Sequence, residues 1–229
     1  MKSLLEKSLF TRILIISIIT FADIGIAVFC VYPWIRKGIM IFPANATDDV
    51  GLFFAQSLTV SIPVIVLLFV SILVFKNQFA DEMYLKVKGK YQRITIAVLI
   101  TILLVMTAYC MIRQDNKIRI VLNLLYYLVF IAFSEEFVFR DVFTYLLKNE
   151  KAIIRYVVPS LMFSMIHVFA YSGWEPITAE HFLHFVTSSL FGLVAFSCIQ
   201  LFIKEKTGTI WIPVLIHGIL DYSGVLSYK

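Results

Sequence analysis

Charge is what this sequence lacks most. Only 15% of its 229 residues are Asp, Glu, Lys or Arg, against about 25% in a soluble domain. Meanwhile 60% are hydrophobic and 15% aromatic, and the mean hydropathy is +0.89. So much apolar surface cannot be hidden in one aqueous core, because the exterior of that core would be apolar too. A soluble globular domain is excluded, and lipid is the solvent. Linkers are missing as well: no Pro-, Gly- or Ser-rich tract, low-complexity segment or internal repeat divides the chain, which predicts a single membrane domain over residues 1–229. Cysteine is scarce. Cys30, Cys110 and Cys198 each lie inside an apolar run and form no CxxC pair, so they read as small packing residues rather than metal or redox ligands. The net charge of +5 comes from basic residues clustered between apolar runs, where they meet anionic headgroups; no nucleic-acid partner is expected.

A membrane helix needs ~20 mostly apolar residues, and about seven stretches qualify: roughly 12–35, 50–75, 94–112, 119–147, 152–171, 180–203 and 209–227. The expected fold is an all-α, polytopic transmembrane bundle of about seven spans, with six to eight as the range. The first run follows Lys2, Lys7 and Arg12 but is too long for a signal peptide and lacks a small-residue cleavage site, so it is expected to stay as an anchor. Lys and Arg set the orientation. Lys2, Lys7, Arg12, Lys76, Lys86, Lys88, Lys90, Arg93, Lys148, Lys151, Arg155, Lys204 and Lys206 would lie on one side, against Arg36, Lys37, Arg113, Lys117, Arg119 and Lys229 on the other. That bias predicts a cytoplasmic N-terminus, with Trp174 in an outer interfacial loop.

Ionisable groups at membrane depth cost about 2.5–3.5 kcal/mol each and persist when paired or functional. Ten fall within or beside the expected spans: Asp23, Glu135, Glu136, Arg140, Asp141, His167, His181, His184, His217 and Asp221. Seven of them sit in three short segments. In SEEFVFRDVF, Glu136 and Arg140 are one helical turn apart and can neutralise each other. Glu135 projects about 100° away and is left as a candidate general base; both glutamates sharing Arg140 is the plainer alternative. In FSMIHVF, Phe163 and His167 are one turn apart, and in HGILDYS so are His217 and Asp221. A carboxylate there could simply fix the histidine's rotamer. His181 and His184 open the sixth span, where solvation is the expectation. Asp23 is isolated, and the sequence names no partner for it.

The ordered set EExxxR (Glu135 to Arg140), FxxxH (Phe163 to His167) and HxxxD (His217 to Asp221) resembles the CPBP family, the CAAX protease and bacteriocin-processing or Abi family. The likeness spans roughly residues 119–227, a catalytic core, and leaves 1–118 as accessory spans assigned by hydropathy alone. It implies an intramembrane endopeptidase related to the Ras-converting CAAX endopeptidase, its helical core open to the cytoplasmic side. By position it implies that Glu135 and His167 activate a water and that His217 and Asp221 serve the oxyanion; in the mechanism expected from these residues Glu136 and Arg140 hold the helix geometry, with Arg140 also a candidate contact for the substrate's carboxylate or backbone. One departure bears on this: CAAX endopeptidase relatives carry Asn where this chain has Asp221. An ionised carboxylate cannot donate to an oxyanion, so either Asp221 is protonated or it orients His217, which donates instead.

The preferred reading needs no cofactor. A zinc-dependent version would use Glu135, His167, His217 and Asp221 as ligands, but no HExxH pair favours it. From another class comes a non-proteolytic membrane scaffold, regulatory partner or bacteriocin-immunity protein, to which the same resemblance extends. A transporter fits less well, since no matching pair of Gly/Pro-broken helices is evident. The chain is placed as a multi-pass protein of a bacterial cell membrane, its partners lipid and a membrane-associated peptide or protein substrate.

Overall fold

The computed structural model describes residues 4–38, 61–62, 64–73, 84–168 and 177–224. Every regular element among them is helical, as a lipid-solvated chain requires, because a helix satisfies its own backbone polar groups. In chain order the apolar helices are α1 (Leu9–Val31), α2 (Val64–Leu73), α3 (Lys90–Arg113), α4 (Lys117–Leu146), α5 (Ala152–Ile166), α6 (Ala179–Thr207) and α7 (Trp211–Tyr222). Each coincides with one expected span. α1, α3, α4 and α6 are long and apolar enough to cross a membrane, whereas α2, α5 and α7 are shorter. Most of the 50–75 stretch lies outside the described residues, as do 169–171, 225–227, Trp174, Lys2, Lys76 and Lys229.

Local chemistry sets the helix ends. Ser8, Asn116 and Thr178 accept from backbone N–H groups at the starts of α1, α4 and α6, satisfying donors that a helix start leaves free. Gly208 takes φ +67° and closes α6, a conformation that favours glycine. Pro213 in the first turn of α7 lacks an N–H that would have no partner there anyway.

α4 is the axis of the bundle. At ~1.5 Å per residue its 30 residues run well past the ~30 Å hydrocarbon layer. Residues Ser134 to Phe143 are all buried, and α5, α6 and α7 pack against α4. Phe137, Val138, Phe139, Val142 and Phe143 form the centre of the main core with Ile16 of α1, Phe163 of α5 and Val214 of α7. α3 is peripheral, packed on α7 and α4 with few buried residues of its own. α4 also departs from a regular helix, with widened i→i+5 turns over Tyr126–Phe133 and Glu136–Val142. Such turns add a residue to the ladder and occur often at functional sites.

The basic stretches expected on one side do come together. Arg12 donates to the Leu146 carbonyl and pairs with Glu150. Arg155 pairs with Glu205 at 3.5 Å, and Gln92 donates to the Thr207 carbonyl at 2.6 Å. The starts of α1, α3 and α5 and the ends of α4 and α6 therefore share one end of the molecule. Lys204, expected as a loop charge, is instead 1% exposed within α6. It pairs with Asp141 at 2.9 Å and donates to the Arg140 carbonyl and to Thr144.

Candidate active site

Three helices bring the motif residues together. Glu135 lies about 16 Å along α4 from Leu146, and His167, at the end of α5, about 18 Å from Arg155 at ~1.5 Å per residue. The cluster is thus removed from the basic end by about half of a ~30 Å hydrocarbon layer. Glu135, Glu136, Arg140 and His217 are buried, and the Asp221 and His167 side chains are 32% and 20% exposed.

Glu135 Oε2 is 3.9 Å from His167 Nε2 and 3.8 Å from His217 Nε2. Both separations exceed a direct hydrogen bond, and that oxygen makes no hydrogen bond among the described residues. His167 has a fixed tautomer when neutral. Its Nδ1 is 2.8 Å from the Phe163 carbonyl, an acceptor, so Nδ1 carries the hydrogen and Nε2 presents its lone pair toward Glu135. The FxxxH spacing thus acts through the Phe163 backbone as well as through the ring, which lies 4.5 Å from the imidazole.

His217 is clamped between two carboxylates. Nδ1 contacts Glu136 Oε1 at 2.8 Å, and Nε2 faces Asp221 Oδ2 at 3.3 Å. The edge-on rings of Phe163 and Phe196 pack against it at 6.1 and 5.5 Å. The expected Glu136 to Arg140 ion pair is present at 3.4 Å, with both side chains fully buried. Arg140 also lays its guanidinium over the Phe163 ring at 3.7 Å, a face-on contact suited to a delocalised cation. Glu136 therefore serves two partners, and its bond to His217, 81 residues away in sequence, was not readable from spacing. Phe196 carried no signal either.

The remaining titratable groups fall elsewhere. Asp23 is buried on α1, within electrostatic reach of Glu135. His184 is exposed and contacts Ser188 on its own helix. Among the described residues, no group of three or more His, Cys, Asp or Glu side chains is arranged to hold a metal ion.

Comparison with known proteins agrees with the motifs. Residues 117–223 match the family model of the type II CAAX prenyl endopeptidase, Rce1-like, the group to which the CPBP resemblance pointed. The matched stretch runs from the start of α4 through α7 and contains all seven motif residues. The matched stretch is therefore similar, at family level, to a prenyl endopeptidase. No curated protein and no solved structure matches the chain.

Proposed function

We propose, taking the Rce1-like stretch as the working unit, that the protein is an intramembrane endopeptidase that hydrolyses a peptide bond of a membrane-associated peptide or protein by a metal-free, glutamate-based route. The observation that carries this reading is the Glu135 carboxylate oxygen, which lies under 4 Å from the Nε2 atoms of two histidines and hydrogen-bonds to neither. Groups so spaced can both reach one water oxygen at ~2.8 Å. Glu135 takes a proton from that water as it attacks the scissile carbonyl, and His167 Nε2 accepts the water's second hydrogen and holds it in line. Glu135 then returns its proton to the leaving amine.

His217 is the electrophilic partner. Nε2–H points toward the carbonyl oxygen as charge builds there, while Glu136 fixes the ring through Nδ1. Asp221, 3.3 Å from Nε2, orients the ring and does not itself donate. Arg140 neutralises Glu136 and, being fully buried against Phe163, supports the site rather than meeting substrate. The enclosure strengthens each charge contact relative to water.

The test is to incubate membranes with the purified protein and compare newly formed polypeptide N-termini with those made by Glu135→Ala and His167→Ala variants. The reading requires a set of cuts that both variants abolish. Cuts unchanged in either variant would remove that residue from the mechanism, and a cellular phenotype that survives Glu135→Ala would favour a scaffold or immunity role. Metal analysis of active protein, with chelator treatment, tests the zinc-dependent version.

A further inference from the structure

An apolar cavity of about 700 Å³ lies between α3, α4 and α7, away from the histidines. Its walls include Ile100 and Leu103 of α3, Leu128 and Val129 of α4, and Trp211 and Leu215 of α7. Every lining residue is hydrophobic, with no polar surface. Val87, Ile100 and Val129 are 37%, 42% and 44% exposed, so the cavity opens sideways toward lipid. Its size is within the ~300–1,000 Å³ of ordinary ligand sites. From Lys90 to Leu103 the helix rises about 20 Å, and one leaflet is about half of a ~30 Å hydrocarbon layer. An acyl chain entering from the basic end therefore has the length to fill it.

Among the described residues, the stretch that leads into the cavity is basic. Val87 lines the cavity between Lys86 and Lys88, and Lys90 and Arg93 follow in the first turn of α3. All four basic side chains are exposed, and no acidic residue occurs from Tyr84 to Gln114. Juxtamembrane Lys and Arg attract anionic headgroups at about 1 kcal/mol each. We propose that this groove is a binding site for one anionic phospholipid, its acyl chain against Leu103, Leu128 and Trp211 and its headgroup on the Lys86 to Arg93 rim. The occupied groove backs the seat of α7 on α4. A Cβ on Gly218 would lie 2.9 Å from Leu128 Cδ1, so the Leu128 side chain is held between the residue after His217 on one side and the groove on the other.

Trp211 is a built-in reporter. With Trp34→Phe and Trp174→Phe it is the sole tryptophan of the chain. In phosphatidylcholine vesicles doped with a minor fraction of chain-brominated lipid, brominated phosphatidylglycerol should quench Trp211 about fivefold or more over brominated phosphatidylcholine of the same chains. The rim variant Lys88→Glu, Lys90→Glu, Arg93→Glu should bring that ratio to unity. The filled variant Ile100→Phe, Val129→Phe should lose quenching by both lipids, with thermal unfolding of the same preparations excluding misfolding. Native mass spectrometry of the unmodified protein should find one anionic phospholipid retained. Equal quenching by the two lipids, or a preference that survives the rim variant, would each overturn the proposal. None of these readouts depends on proteolysis.

Discussion

Two groups of buried charge lie six residues apart on α4, at Glu135 and Asp141, and they are built on different principles. Asp141 is matched by Lys204 at 2.9 Å, and the ammonium also donates to the Arg140 carbonyl and the Thr144 hydroxyl and faces the Tyr84 ring. The lysine's donors are engaged by groups of the protein itself. Glu135, by contrast, holds an oxygen close to two imidazoles without bonding to either. A buried carboxylate left in that state costs stability and is retained where something else must bind to it. The same helix therefore shows two ways of holding charge under burial: at Asp141 a cation whose donors the protein engages sits beside the carboxylate, and at Glu135 an oxygen faces two imidazoles without bonding to either.

Glu135→Gln would break this contrast most sharply. It keeps shape and burial but removes the base, so turnover should fall by about 10²–10⁴-fold while the thermal midpoint in detergent is unchanged or raised. A variant that unfolds instead would show the Glu135 charge to be structural, as at Asp141. Lys204→Met tests the other side. It leaves Asp141 buried without its cation and should cost about 3–5 kcal/mol of stability, much of it recovered in the Asp141→Asn, Lys204→Met double variant. Thermal unfolding of the two variants measures the recovery, and activity per folded molecule should hold in both.

Glu136 sits between the two principles, since it is paired to Arg140 yet also aims His217. Glu136→Gln retains an acceptor for Nδ1 but removes the charge facing both partners. Groups that orient a working histidine are worth about 10–100-fold. The loss is expected in kcat with little change in KM, measured on any peptide found in the N-terminus comparison, and a KM effect alone would assign Glu136 to substrate binding.

Periodicity carried much of this site. One-turn spacings placed Glu136 on Arg140 and His217 on Asp221, and the structure has both contacts. A helix period also put Glu135 on a face apart from Arg140. Hidden from the sequence were contacts between helices: the Glu136 to His217 bond, Phe196 against His217, and the Asp141 to Lys204 pair. Each depends on how α4, α6 and α7 meet one another, and a hydropathy pattern fixes which residues are apolar without fixing which helices touch. Lys204 shows the cost. Counted as a loop charge by the positive-inside rule, it is drawn inward because Asp141 and Thr144 satisfy it. The widened turns of α4 were invisible too, since residue types do not distinguish an i→i+5 turn from an i→i+4 one.

Asp221 offers the smallest and most discriminating effect. Its carboxylate is the most exposed of the group at 32% and acts through His217, so removing its charge should matter less than removing its position. In Asp221→Asn the amide oxygen can still accept from Nε2–H, and the amide nitrogen adds a donor that a carboxylate lacks. Turnover should stay within a few-fold of the parent, as the Asn of CAAX endopeptidase relatives leads one to expect, whereas Asp221→Ala, which frees the ring on that side, should lose about tenfold or more. If Asn instead abolished cleavage while Glu136→Gln was tolerated, the negative charge beside Nε2 rather than the clamp at Nδ1 would be what readies His217, and the division between orienting and neutralising carboxylates drawn for α4 and α7 would have to be reversed.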